Sequence, residues 1–136
     1  MGRKLLTVGQ TMWFRPDEPL PVAQLDDTIE QMLTKNETTK RRGAVMVTDA
    51  DGKLAGIITD ADLRRCVGKM GADEFAVKCS DLMTPDCKRV AEDTLAAEAM
   101  AIFHKYRIDE LPVVNAKGQP VGLIDVQDIV AIKIVG

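Results

Sequence analysis

Apolar positions along the chain fall into two kinds of run, one recurring every three or four residues and one nearly continuous over four or five. Behind Asp27, the residues Ile29, Met32 and Leu33 share one face of a helix, and behind Asp93 the residues Leu95, Ala99, Ile102, Phe103 and Tyr106 do the same. Each acid is the expected cap of the helix it precedes, since a short carboxylate accepts from the free amides of a first turn. The continuous runs are short. Ala44-Val45-Met46-Val47 and Leu54-Ala55-Gly56-Ile57-Ile58 flank Asp51-Gly52, and Leu111-Pro112-Val113-Val114 and Val121-Gly122-Leu123-Ile124 flank a second polar turn. Such pairs predict two β-hairpins. A further helix is expected to open after Thr59 and again after Asp125, so each half reads strand, helix, strand, strand, helix.

Displacing the chain by 66 residues, from 27 to 93, lays Asp27-Thr28-Ile29 on Asp93-Thr94-Leu95 and runs without a gap to Asp62-Leu63 on Asp128-Ile129. Gly52 and Gly56 fall on Gly118 and Gly122, which marks an internal duplication. Upstream, Met12 and Met83 hold similar places, though the first half carries a longer loop through Arg15-Pro16-Asp17-Glu18-Pro19. The expected segments are a short lead over 1–7, a first repeat over 8–70 and a second over 71–136. A half of about 60 residues buries little surface alone, so the two sheets are expected to pack against each other.

Composition narrows the function. With 46% hydrophobic and 29% charged residues the chain is of ordinary globular make-up. A net charge of −3 and 4% aromatic residues deny it the positive field and stacking platforms of a nucleic-acid binder. No apolar run approaches the roughly 20 residues that cross a bilayer, and Met1-Gly2-Arg3-Lys4-Leu5-Leu6 leads into polar residues, not a signal-peptide core. A cytoplasmic protein without nucleic-acid or membrane partners is expected. Cys66, Cys79 and Cys87 form no C-x-x-C pair and His104 is the sole histidine, so no metal site is expected and the thiols read as small apolar residues. His104 has no acid three or four positions away, and no nucleophile elbow, H-E-x-x-H, P-loop or G-x-G-x-x-G occurs. No catalytic residue is assigned.

The strings Gly56-Ile57-Ile58-Thr59-Asp60-Ala61-Asp62 and Gly122-Leu123-Ile124-Asp125-Val126-Gln127-Asp128 carry the candidate chemistry. Thr59-x-x-Asp62 has the form of a capping box, and a helix N-terminus is also a ready anion site, so the two roles are compatible. Arg64 and Arg65 suit a guanidinium clamp on phosphate or a solvated helix face. Lys40-Arg41-Arg42 suits a cleft lining or a solvated loop.

The element order, the Leu111–Val114 strand and the repeated string together resemble a tandem pair of cystathionine-β-synthase-type (CBS) domains, over about Val8 to Val135. The resemblance implies an α/β (α+β) fold of two β-α-β-β-α repeats packed sheet to sheet with pseudo-two-fold symmetry. It implies two clefts that take adenine nucleotides or related ligands, Thr59 facing phosphate and Asp62 holding ribose hydroxyls, with Asp128 as counterpart and Thr84 where family members turn into the cleft. Asp125 departs from the family's Thr or Ser. A carboxylate about 4 Å from a phosphate charge costs on the order of 4 kcal/mol at an effective dielectric near 20. The second cleft should therefore reject bare phosphate; it is empty, takes an uncharged or metal-bridged ligand, or uses Asp125 only as a cap.

Gly2-Arg3-Lys4-Leu5-Leu6 and Thr59-Asp60-Ala61-Asp62-Leu63-Arg64-Arg65 resemble the arabinose-5-phosphate isomerases of bacterial Kdo biosynthesis, in which a sugar-isomerase domain leads into a CBS pair. This chain would be the regulatory tail of such an enzyme without its catalytic domain, and no enzyme by itself. The implied ligand is an adenine nucleotide or CMP-Kdo; the implied partners are a second copy and the parent's isomerase domain. The rival reading is a ligand-free dimerisation module, with apolar helix faces paired across a two-fold axis.

Overall fold

The computed structural model describes residues 5–12, 18–39, 43–70 and 76–135. Its elements run α1 (Val8–Thr11), β1 (Val22–Gln24), α2 (Ile29–Lys35), β2 (Ala44–Thr48), β3 (Leu54–Thr59), α3 (Asp60–Met70), α4 (Cys79–Leu82), β4 (Thr84–Pro85), β5 (Val90–Ala91), α5 (Ala96–Tyr106), β6 (Glu110–Val114), β7 (Pro120–Asp125) and α6 (Val126–Val135). The strand-helix-strand-strand-helix order thus occurs twice, as β1-α2-β2-β3-α3 and β5-α5-β6-β7-α6, in a mixed α+β fold with two small sheets. Gly2-Arg3-Lys4, Arg15-Pro16-Asp17 and Lys40-Arg41-Arg42 lie outside the described residues.

One compact unit is Pro19–Cys87, with sheet order β1-β2-β3-β4; the other joins Met1–Glu18 to Lys88–Gly136, with order β5-β6-β7. In each, the first strand runs parallel to the second across a helical crossover and the next pair is an antiparallel hairpin. Both hairpins turn alike. Asp49 Oδ1 accepts from the amides of Asp51 and Lys53 at 2.9 and 3.0 Å, and Asn115 Oδ1 from those of Lys117 and Gln119 at 2.9 and 3.0 Å. Gly52 and Gly118 follow at φ 79° and 80°, a left-handed conformation that glycine adopts without steric cost.

Within Pro19–Cys87, Val45, Val47 and Ile58 share a core with Ala23, Ile29, Met32 and Cys79. Met46 and Ile57 face each other across the ladder on the opposite side of the sheet and are buried as well, which is why these strands read as continuous apolar runs. The other unit repeats the arrangement with Leu111, Val113 and Ile124 against Ala99, Phe103 and Ile129.

Each core is completed by a segment from ahead of the other half. Val8, fully buried, joins Phe103, Leu111 and Ile124, and its amide donates to Thr94 O at 2.7 Å. Gly9 N donates to Glu92 O at 2.9 Å and Ala96 N to Leu6 O at 2.9 Å. Met12 Sδ rests where a Cβ on Gly122 would stand. The segment before β4 plays this part in Pro19–Cys87: Cys79 is fully buried in that core, its amide donates to Asp27 O at 2.8 Å, and Met83 lies over Gly56. Met12 and Met83 do hold equivalent places, each against the glycine of the other half.

Neither Asp27 nor Asp93 caps its helix. Thr28 stands one residue nearer the first turn of α2, accepts from Gln31 N at 3.1 Å and has its own amide bound by Gln31 Oε1 at 2.8 Å. Asp27 accepts from Gln24 N at 2.8 Å and pairs with Lys35 at 2.6 Å. At α5, Glu98 takes the Leu95 amide at 3.1 Å, while Thr94 turns back to accept from Ala91 N at 3.0 Å. Tyr106, expected on the apolar face, is 42% exposed, with the Lys88 ammonium 4.3 Å from its ring centre. All three cysteines are buried thiols. Burial pushes the Cys79 thiol up to about 11, the charge of Asp27 adding to it against that of Lys35, which leaves it an inert packing group.

A Cβ on Gly56 would come within 2.6 Å of both Met83 Sδ and the Thr84 carbonyl, which belongs to the backbone; on Gly122 its three nearest atoms would all belong to the pliable Met12 side chain. Gly56→Ala is therefore expected to cost about 1–3 kcal/mol and Gly122→Ala less than about 1, read as urea midpoints; an equal loss at both sites would contradict the packing. At Asp27, burial raises the carboxyl, but the Gln24 amide and Lys35 outweigh it and hold the group below 3.8. A depressed carboxyl stabilises fully above its unfolded value, and that contribution fades as the pH falls through the folded one. Asp27→Asn should lose stability at neutral pH and converge on wild type in strong acid, and parallel losses at both pH values would rule out the ionic contribution.

Candidate functional site

The duplicated strings form two corners at which the second strand of a hairpin hands over to a helix. At the first, β3 passes into α3: Thr59 N donates to Asp62 Oδ2 at 2.9 Å and Asp62 N donates to Thr59 Oγ1 at 3.2 Å. At the second, β7 passes into α6: Asp125 N donates to Asp128 Oδ2 at 2.9 Å and Asp128 N donates to Asp125 Oδ1 at 3.0 Å. Both are complete reciprocal boxes. The carboxylate of Asp125 thus does the capping work of the Thr59 hydroxyl. Each corner is also pinned to the loop ahead of its hairpin, Asp60 N to Gly43 O at 2.9 Å and Val126 N to Asp109 O at 3.0 Å, anchors no sequence pattern announced.

Chemically the corners differ. Asp62 is only 7% exposed, and a carboxylate so withdrawn from water needs charge-assisted partners. Its second oxygen, Oδ1, pairs with the Arg65 guanidinium, whose side chain reaches back from one turn along α3 and is 63% exposed. Arg64 is exposed beside it. From the sequence Arg65 suits either a phosphate clamp or a solvated helix face; in the structure it is exposed and pairs with Asp62, a pairing that the i, i+3 separation could have announced. At the second corner, Val130 and Ala131 stand at the positions of Arg64 and Arg65. The first corner therefore brings together a hydroxyl, the carboxylates of Asp60 and Asp62 and the Arg65 guanidinium, with Arg64 exposed next to it in sequence, whereas the second holds the carboxylates of Asp125 and Asp128 with no arginine at the equivalent positions.

Thr84 lies in the same unit as Thr59. It is exposed on β4 and pairs with Ile57, two residues before Thr59 on the adjacent strand. Thr59, Asp62, Arg64, Arg65 and Thr84 all belong to Pro19–Cys87, and Asp125 and Asp128 to the other unit. His104 is exposed on α5. Among the described residues, no group of three or more His, Cys, Asp or Glu side chains is placed to hold a metal ion, and no helix is long and apolar enough to cross a membrane.

The chain matches the family model described as the CBS domain twice, over residues 14–69 and 79–134. It is 37% identical over 129 residues to arabinose 5-phosphate isomerase KpsF of Escherichia coli O6:H1, covering 94% of this chain and 38% of that protein. It therefore spans about two fifths of that curated relative's length. The solved CBS-domain-containing protein ATU1752 from Agrobacterium tumefaciens is similar at a TM-score of 0.73 and 29% identity, over 85% of this chain and 90% of its own. CBSX2, solved in complex with AMP, is similar at a TM-score of 0.75 and 25% identity, over 96% of this chain and 98% of its own. Matched twice over most of its length and built as two β-α-β-β-α repeats, the chain belongs to the CBS-domain family as a tandem pair.

Proposed function

We propose that this CBS pair is a regulatory module that senses a nucleotide or nucleotide-sugar, with the Thr59–Asp62 corner as its phosphate-ribose site, and that it serves as the regulatory region of an arabinose-5-phosphate isomerase. The observation that carries the reading is the pair of exposed arginines one turn into α3, of which Arg65 neutralises the buried Asp62 and Arg64 stands beside the turn that holds the exposed Asp60, where the second corner has no arginine. A phosphate is drawn by the dipole of α3 and by Arg64 and Arg65, whose forked donors match its oxygens. Asp62 spends one oxygen on Thr59 N and one on Arg65, and each retains a lone pair for a ribose hydroxyl. Thr84, two residues away on the neighbouring strand, is the proposed third contact.

CBSX2 is similar to this chain at 25% identity and was solved with AMP, which supports an adenine nucleotide. Likeness to an arabinose 5-phosphate isomerase supports testing CMP-Kdo beside it. Two carboxylates at Asp125 and Asp128 repel phosphate, so the second corner takes an uncharged or metal-bridged ligand or acts as a cap alone. The chain works in the cytoplasm, as a homodimer through the helices of both halves and beside an isomerase domain in its parent protein. A ligand-free dimerisation module is the second reading. It is favoured by the closure of both corners on their own side chains.

A thermal-shift panel of AMP, ADP, ATP, S-adenosylmethionine and CMP-Kdo separates the two, since a ligand at 100 times its Kd stabilises by about 2.7 kcal/mol. At least one member should raise the melting temperature; a flat panel leaves the dimerisation module. In calorimetry with the active ligand, Asp62→Ala should weaken binding while costing about 1 kcal/mol of stability. Asp125→Thr should raise the stoichiometry by removing a repulsion from the second corner. Unchanged binding in both variants would reduce the strings to helix caps. Sedimentation at micromolar concentration should show a dimer, and a monomer there would count against assembly through these helices.

A further inference from the structure

The exchange of leading segments gives the two corners different connections to the rest of the polypeptide. In the unit holding Asp125 and Asp128, Ile124 and Ile129 flank the corner, and both lie in the buried cluster that receives Val8. Met12 and Val126 pack against the same cluster, and Met12 Sδ covers Gly122, three residues before Asp125. In the unit holding Thr59 and Asp62, Ile58 and Leu63 flank the corner, Ile58 within the buried cluster that receives Cys79 and Leu63 packed against it, while Met83 covers Gly56, three residues before Thr59.

We infer that each corner is coupled to one segment only: the Asp125–Asp128 corner to the arm Leu5–Met12, and the Thr59–Asp62 corner to the connector Val77–Met83. The physical reason is close packing. Interiors at crystal-like density do not absorb a shift at one wall, so loosening or re-seating the first turn of α6 alters the socket of Val8, and the first turn of α3 does the same for Cys79. The arm holds its place by the buried Val8, by Met12 over Gly122, and by three backbone bonds, from Val8 N and Gly9 N to Thr94 O and Glu92 O and from Ala96 N to Leu6 O, a small set of contacts that opens below the cost of global unfolding. Any polypeptide joined ahead of Leu5 is thereby tethered to the unit of the dicarboxylate corner, although its neighbours in sequence are those of the first repeat. The coupling needs no ligand, and its test is independent of the sensing function.

Native-state hydrogen exchange on the full chain decides it, with each corner opened by loss of its cap and the slowest strand amides reporting global unfolding. Asp125→Ala should speed exchange at Val8 and Gly9 by about five-fold more than at those strand amides, the effect of one lost cap. Cys79 N and Ser80 N, bound to Asp27 O and Leu25 O, should speed up no more than the strand amides do. Thr59→Ala should give the mirror pattern. Excess acceleration of both segments by either variant, of the wrong segment, or of neither would overturn the coupling. Should Asp125→Ala fail to fold, Asp125→Asn keeps an acceptor at the cap, weakens it by removing the charge, and is read on the same amides against the same criteria.

Discussion

Burial of Val8 among Phe103, Leu111 and Ile124, and of Cys79 among Met32, Val45 and Ile58, closes each hydrophobic core with a residue drawn from ahead of the other half. Repeats this small expose too much surface to close alone. Here the missing wall comes from exchanged segments that also supply hydrogen bonds to the turn before each crossover helix and a methionine to cover each strand glycine. Hairpin register, helix seating and the orientation of both corners depend on this closure, because the strands that end at Thr59 and Asp125 form one wall of the same cores.

On that common frame the duplication has kept the geometry and changed the chemistry. A hydroxyl and a carboxylate cap their helices with bonds that agree to within a few tenths of an ångström. Thr59 contributes no charge, and the one buried carboxylate beside it is balanced by Arg65. In the second corner Asp125 puts a negative charge in the capping position itself, Val126 stands where Asp60 is, and Val130 and Ala131 replace the arginines. The arginines are thus the ground on which the first corner is proposed as the anion site, although both corners present the same helix terminus.

The fold was legible because strongly periodic segments announced it. The apolar faces of α2 and α5, the two hairpins and the capping boxes at the two corners all follow from local patterns of period and turn chemistry. Three things were not legible. Caps were assigned to Asp27 and Asp93, because adjacent carboxyl and hydroxyl residues compete for one role and tertiary partners such as Lys35 decide it. The elements α1, α4 and β4 are too short to show a period. The exchange of arms left no trace, since Val8 and Cys79 look alike whichever core receives them. At the site, Thr59, Asp62 and Asp128 were identifiable by repetition, whereas the ion pair that sets the charge of the first corner needed the rotamer of Arg65.

The central claim, that an anionic nucleotide is sensed at the first corner and not at the second, is most directly tested by titrating the labelled chain with AMP and following its amide resonances. Saturating shifts centred on Thr59, Asp62 and Arg65, larger than those at Asp125 and Asp128, are the result that the charge distribution requires. Shifts centred on Asp125 and Asp128, or none at either corner, would contradict it.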